Sequence, residues 1–142
     1  MFELVPGLAK KDFIINLKLC TVLFEDNRLY PWIFLVPQKE NVKNMTFLSM
    51  EERLQLMREI ALAEEVMTNL FNPSQINVAM IGNKTPQLHV HIIARKDGDP
   101  DWPGTVWDGH SSPYDPSEKE KIIARIKQNI EEKLSLPQFS QD

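Results

Sequence analysis

The run Gln87-Leu88-His89-Val90-His91-Ile92-Ile93 alternates polar and apolar side chains, and two of the chain's three histidines stand two apart within it. Successive side chains of a strand face opposite ways, so Gln87, His89 and His91 share one face and Leu88, Val90 and Ile92 the other. The apolar row can be buried against a core while the polar row stays open to a ligand. A neutral imidazole is a nucleophile, a general base or a metal ligand near neutral pH, and a neighbour two residues along can share the work. The same spacing also describes an ordinary half-buried strand with two satisfied histidines, and spacing alone does not choose between the two.

The segments on either side suit a sheet carrying this strand. Gly82-Asn83-Lys84-Thr85-Pro86 is a turn. Before it, Gln75 to Ile81 alternates, with Ile76, Val78 and Met80 on one face and Asn77 and Ala79 on the other. Asn72-Pro73 stops a helical segment that opens on Ser49-x-x-Glu52, the form of a capping box. Leu56, Ile60, Ala63, Met67 and Leu70 make its apolar stripe. A second stripe, Leu54, Met57 and Ala61, falls well around the helix, where a partner subunit would cover it.

Further upstream, Leu19 to Phe24 and Trp32 to Val36 are apolar runs joined by the polar turn Glu25-Asp26-Asn27-Arg28, a hairpin that Pro37 closes. The lead from Met1 to Lys11 has a turn signal at Pro6-Gly7, and Phe13 to Leu17 extends it or forms a short element. Downstream, residues 101–110 hold two tryptophans, two glycines and His110, which no regular element would accommodate. Two large aromatics in a loop are usually pinned against something. Pro116 opens a last helix with Ile123, Ile126, Ile130 and Leu134 as its stripe, and the tail after Pro137 is expected to fray. The expected fold is α+β, one domain over residues 1–142. A mainly antiparallel sheet of about five strands, with one long central helix, fills roughly residues 11–96, and a loop and C-terminal helix follow over roughly 97–136.

At 142 residues with a net charge of −4, the chain is the size of one domain and has no basic surface for a nucleic-acid polymer; a nucleotide is the better-suited ligand. The single cysteine, Cys20, excludes an internal disulfide and a multi-cysteine zinc site and fits a reducing cytoplasm. No run approaches the roughly 18 apolar residues of a membrane helix, and no leader-like apolar segment opens the sequence, so a cytoplasmic protein with no membrane partner is expected.

The motif strand resembles the signature of the histidine triad (HIT) family, His-x-His-x-His followed by two apolar residues, carried by enzymes that hydrolyse or transfer nucleotides at a phosphate ester or anhydride. Here the first histidine is replaced by Gln87. The resemblance extends over roughly residues 11–96 and implies a HIT-like fold with His89 as nucleophile and His91 as phosphate ligand. Gln87 would be a hydrogen-bonding side chain beside that phosphate. It further implies Asp26 and Asn27 as ribose ligands, Trp32 as stacking surface where many members carry another histidine, and Asn77, Gly82, Lys84 and Thr85 along the phosphates. His110 is an additional candidate for the imidazole that Gln87 and Trp32 remove.

The implied reaction is two-step: His89 attacks the α-phosphate of a phosphoramidate, dinucleoside polyphosphate or similar conjugate, and water hydrolyses the nucleotidyl-histidine. No cofactor or metal is implied, and a homodimer through the long helix and the sheet edge is. A nucleophilic His89 requires its other ring nitrogen to donate to an acceptor, most simply a backbone carbonyl. Two other readings stay open: a metal held by His89 and His91 with His110 or a carboxylate, and a nucleotide-binding module with little turnover.

Overall fold

Alternation along the strands produces a sheet with two differently furnished faces. The computed structural model describes residues 1–141 of the 142. A short helix α1 (Pro6–Ala9) leads into β1 (Asp12–Asn16), β2 (Cys20–Phe24) and β3 (Trp32–Pro37); then come the long helix α2 (Met50–Phe71), β4 (Gln75–Met80), β5 (Val90–Arg95) and α3 (Pro116–Leu134). The strands form one sheet in the order β1-β2-β3-β5-β4, every neighbouring pair antiparallel. The expected α+β architecture, with five strands, a long central helix and a C-terminal helix, is the one observed.

On one face, Val22, Phe24, Ile33, Leu35, Val90 and Ile92 pack with Leu56, Ile60, Ala63 and Met67 of α2 and with Ile126 and Ile130 of α3. On the other, Leu23, Trp32, Phe34, Val36 and Ile93 form a smaller cluster with Leu8 of α1, Tyr30 and Val106. Each stretch of a few residues thus serves two cores, because a period of two sends neighbours to opposite sides.

Helix α2 begins at the expected capping box: Ser49 Oγ accepts from the Glu52 N–H at 3.1 Å, and Glu52 Oε1 accepts from the Ser49 N–H at 2.8 Å. It ends on Asn72, which is left-handed at φ 43° ahead of Pro73. Within it, Glu59 is buried yet satisfied, since its carboxylate accepts from the Leu19 and Cys20 N–H groups at 2.9 and 2.8 Å and from Gln55 and Gln141. Left unpaired, such a charge would cost several kcal/mol; paired, it fastens the β1–β2 turn to the helix. Burial, and then the neighbouring Glu59, push the Cys20 thiol up, which leaves it unreactive.

Three local expectations are corrected. The ladder of the motif strand starts at Val90 and not at Gln87, because Pro86 has no donor and the Leu88 N–H goes to the Val42 carbonyl at 2.8 Å in the β3–α2 connection. The alternation of faces nonetheless persists through Leu88, which lies in the α2-side core. Pro6-Gly7 opens the one-turn helix α1. The tail does not fray at Pro137: residues 137–139 make a 3₁₀ turn, and Gln141 accepts from the Lys18 N–H at 3.0 Å and donates to Glu59 at 3.1 Å.

Candidate functional site

β3, β5 and β4 set the site by register. Phe34 lies opposite His91 across one ladder and Ala79 opposite it across the other, so His91 sits between a large ring and a methyl group on the face away from α2. His89 and His91 are both buried, with ring centroids 4.9 Å apart. His89 Nδ1 is 2.6 Å from the Gln87 carbonyl oxygen. A carbonyl only accepts, so Nδ1 carries a proton, and in the neutral ring Nε2 then holds the lone pair. The nitrogen contact required of a nucleophilic histidine is therefore present, and the acceptor belongs to the motif itself. A cleft of about 270 Å³ reaches His89, lined by Met80 at the end of β4, by Ile81 and Gly82 just after it, and by Asn44 and Thr46 of the β3–α2 connection.

His91 is enclosed by aromatic rings: Phe34 at 5.0 Å, Trp32 at 5.7 Å and Trp107 at 4.8 Å between centroids, the last edge-on at 70°. The Trp32 indole Nε1 donates to His91 Nδ1 at 3.1 Å. Burial, reinforced by the adjacent His89 ring and the Lys11 ammonium, pushes His91 down to about 3, so it is neutral at physiological pH.

Several predicted site residues occupy other positions than their expected roles imply. Gln87 is beside the histidines, but its amide faces the N-terminal segment: Oε1 accepts from the Val5 N–H at 3.0 Å and Nε2 donates to the Glu3 carbonyl at 2.9 Å. Trp32 is buried and so offers no open stacking surface; Phe34 and Trp107 pack on it and its N–H is spent on His91. Asp26 and Asn27 are occupied in holding the segment before α3. Asp26 accepts from the Tyr114 N–H at 2.8 Å, and Asn27 donates to the His110 carbonyl at 3.2 Å and accepts from the Ser112 N–H at 3.3 Å. The Asn77 carboxamide oxygen accepts from Arg95 at 2.9 Å, which leaves its NH₂ as the group it can offer a ligand.

Gly82, Lys84 and Thr85 lie in the loop entering β5, with Gly82 and Lys84 exposed. A Cβ on Gly82 would come 3.0 Å from the Thr85 carbonyl oxygen, so the tightness of this turn itself calls for glycine. The His110 ring is not among those around His91. It is 66% exposed and lies 3.4 Å from the Asp101 carboxylate, which Tyr30 anchors from below.

Four residues near the imidazoles did not figure among the candidates. Phe34 and Trp107 pack directly on His91. Lys11 and Glu25 form a half-buried ion pair at 2.8 Å, with Lys11 Nζ 5.4 Å from the Phe34 ring centre. Period-two alternation carries the face of Leu23 on to Glu25, a signal that was available; nothing local assigns Lys11 or Trp107 to the site. Among the described residues, no three His, Cys, Asp or Glu side chains converge as a metal centre would require, and His110, the third donor considered for one, is engaged elsewhere.

Comparison with known proteins gives a consistent picture. A model of the HIT domain matches residues 7–98. A histidine triad protein from Sinorhizobium meliloti is 35% identical and superposes at a TM-score of 0.87 over 91% of this chain and 97% of its own. One from Marinobacter aquaeolei is 34% identical at 0.88 over 93% and 98%. The diadenosine triphosphate hydrolase of Plasmodium falciparum is 25% identical at 0.63 over 89% and 80%. None of the curated proteins compared with the chain matches it.

Proposed function

We propose that this chain, which belongs to the HIT family, is a nucleotide hydrolase or nucleotidyl transferase acting at the α-phosphate of a nucleotide conjugate through a covalent nucleotidyl-histidine. The observation that carries the reading is the 2.6 Å contact between His89 Nδ1 and the Gln87 carbonyl, which in the neutral ring puts the proton on Nδ1 and the lone pair on Nε2. His89 Nε2 attacks phosphorus in line as the bond to the leaving group breaks, and the Gln87 carbonyl steadies the positive charge that develops on the ring. Water then displaces His89 and loses a proton, giving the nucleoside monophosphate. His91 holds the non-bridging oxygens, with the Asn77 NH₂, Lys84 and the N–H groups of the Gly82–Thr85 loop as further donors.

The substrate classes in view are nucleotide phosphoramidates and dinucleoside polyphosphates. The hydrolase among the similar structures supports the second class by analogy alone. Asp26 accepts from Tyr114 through Oδ1 alone, and Glu25, though paired with Lys11, lies on the histidine face; these two carboxylates are the acidic groups proposed to meet ribose hydroxyls.

The test is direct: incubation with a substrate panel, a rapid neutral or alkaline quench that spares the acid-labile N–P bond, then intact-mass and peptide mapping. The adduct should map to His89. An adduct on His91 or His110, or stoichiometric zinc in untagged protein, would overturn the assignment.

A homodimer belongs to the same proposal. Leu54 and Met57 of α2 are 55% and 57% exposed, and Val78 and Met80 on edge strand β4 are 40% and 41% exposed, a large apolar area for a lone chain. Sedimentation should give a dimer at micromolar concentration, and Met57→Glu should weaken it, since an unpaired buried charge costs several kcal/mol. A particle near 16.5 kDa from the unaltered protein would reject it. Among the described residues no helix is long and apolar enough to cross a membrane; together with the lone buried Cys20 this supports the proposed cytoplasmic location.

A further inference from the structure

The indole of Trp32 has one polar hydrogen and no acceptor. Its Nε1 lies 3.1 Å from His91 Nδ1 in a buried setting, so the indole donates and Nδ1 must offer a lone pair. The single ring proton of His91 is then on Nε2, the nitrogen turned away from Trp32. An imidazole at position 32 could accept that interaction in reverse or pass a proton on; an indole can do neither. Phe34 at 5.0 Å and the edge of Trp107 at 4.8 Å close around the ring, so turning it over would break the hydrogen bond and disturb this packing together.

We propose that Trp32 is a positioning residue that locks His91 as a neutral Nε2–H donor, and that the lock makes the site selective for leaving groups that depart as weakly basic anions. The second half rests on the nucleotidyl-transfer reading; the first does not.

The chemistry follows from counting protons. As His89 Nε2 bonds to phosphorus, the leaving group departs with the electron pair of its old bond. A phosphate or an acidic phenol is stable with that pair. An amine or an alkoxide needs a proton as it leaves, and the neutral N–H of His91 is a far weaker acid than an imidazolium. Making His91 an imidazolium would require a proton on Nδ1, where the Trp32 N–H already points. The other groups bearing on His91 are His89 on its own strand and Lys11, which is paired with Glu25, while β3 and the 101–110 loop present Trp32, Phe34 and Trp107. None of these offers it a carboxylate that would favour protonation.

The experiment has a readout independent of activity. In protein with ¹⁵N-labelled histidine, assigned by loss of signal in His91→Asn, His91 should show an unprotonated Nδ1 and a protonated Nε2 throughout the range of roughly pH 5 to 8 in which histidines ordinarily titrate. A protonated Nδ1, or titration in that range, overturns the lock. Trp32→Phe keeps an aromatic ring and removes the donor; it should let the His91 ring proton divide between Nδ1 and Nε2, seen as averaged nitrogen signals, and lower kcat by a few-fold to about tenfold, the worth of one hydrogen bond, with little change in KM.

The selectivity is read on nucleoside 5′-phosphate aryl esters differing only in phenol acidity. Rates of the unaltered protein should fall steeply as the phenol becomes more basic, and Trp32→His should flatten that dependence. A shallow dependence in the unaltered protein overturns the selectivity. Absence of turnover and of any adduct on every substrate would refute the nucleotidyl-transfer reading and the selectivity with it, while the nitrogen signals would still decide the lock.

Discussion

The two faces of the sheet are made by the same strands one residue out of phase, yet they are held by different physics. On the α2 side, Ile33, Leu35, Val90 and Ile92 meet an amphipathic helix along its length, and burial of hydrocarbon does nearly all the work. On the histidine side, Leu8 of α1 and Val106 add a smaller apolar cluster, and the segment before α1 and the loop after β5 are fastened besides at separate points. Gln87 binds Glu3 and Val5, Tyr30 binds Asp101, and Arg95 clasps Asp99 through two bonds of 2.7 and 2.9 Å. Continuous packing gives stability that tolerates small shifts in position; point-to-point hydrogen bonds give orientation, which ring nitrogens need and hydrocarbon does not. The face that holds the fold together is therefore not the face that aims the imidazoles.

The largest effect should come from the histidine side without loss of fold. His89→Asn should abolish the covalent adduct and nearly all turnover while leaving the denaturation midpoint close to that of the unaltered protein. Near-normal turnover would sink the assignment, and a collapse of stability would show the two faces to be less separate than argued.

The converse comes next. Leu56→Ala on α2, where the side chain is fully buried, should cost about 2–5 kcal/mol in urea unfolding through the cavity it leaves. Turnover per folded molecule should hardly change.

Gln87→Ala tests the point attachments. Losing two hydrogen bonds of roughly 0.5–1.5 kcal/mol each should speed amide exchange at Val5 and proteolysis ahead of α1 and lower turnover only a few-fold. A loss equal to that of His89→Asn would mean that Gln87 takes part in the chemistry itself.

The smallest effect near neutrality is in pH. His91 is pushed down to about 3 in the fold from an ordinary 6.5, chiefly by burial, so between those values the unfolded chain binds more protons and stability falls as pH falls. Above the ordinary value this group contributes no slope. The unfolding midpoint should therefore drop on acidification below about pH 6.5, and His91→Gln should flatten the curve; an unchanged slope would show that His91 is not the group responsible.

Much of the architecture was legible because its causes are local. The capping box at Ser49, the stripe from Leu56 to Met67 and the alternation from Leu88 to Ile92 each depend on a few neighbouring side chains and on helix or strand geometry. Even the shared face of His89 and His91 required only a period of two.

The site was legible as a pair of imidazoles and not as a set of contacts. Asp26 and Asn27 have the composition of a ligand-binding turn, yet their partners stand 83 to 88 residues away in the segment before α3. His110 carries a site-like side chain, but Asp101 and Tyr30 hold it outward.

By itself the sequence determined the two faces of the sheet, the helix that covers one of them, and the presence of two imidazoles on the other, because periodicity and turn chemistry act within a few residues. Tertiary structure alone decided what each polar group touches. Gln87 faces a backbone 82 and 84 residues away, and Trp32 meets His91 across 59 residues of chain. Hydrogen bonds depend on angstrom-scale approach between segments whose separation no local pattern records, and those bonds are what assign a proton to one ring nitrogen and a lone pair to the other.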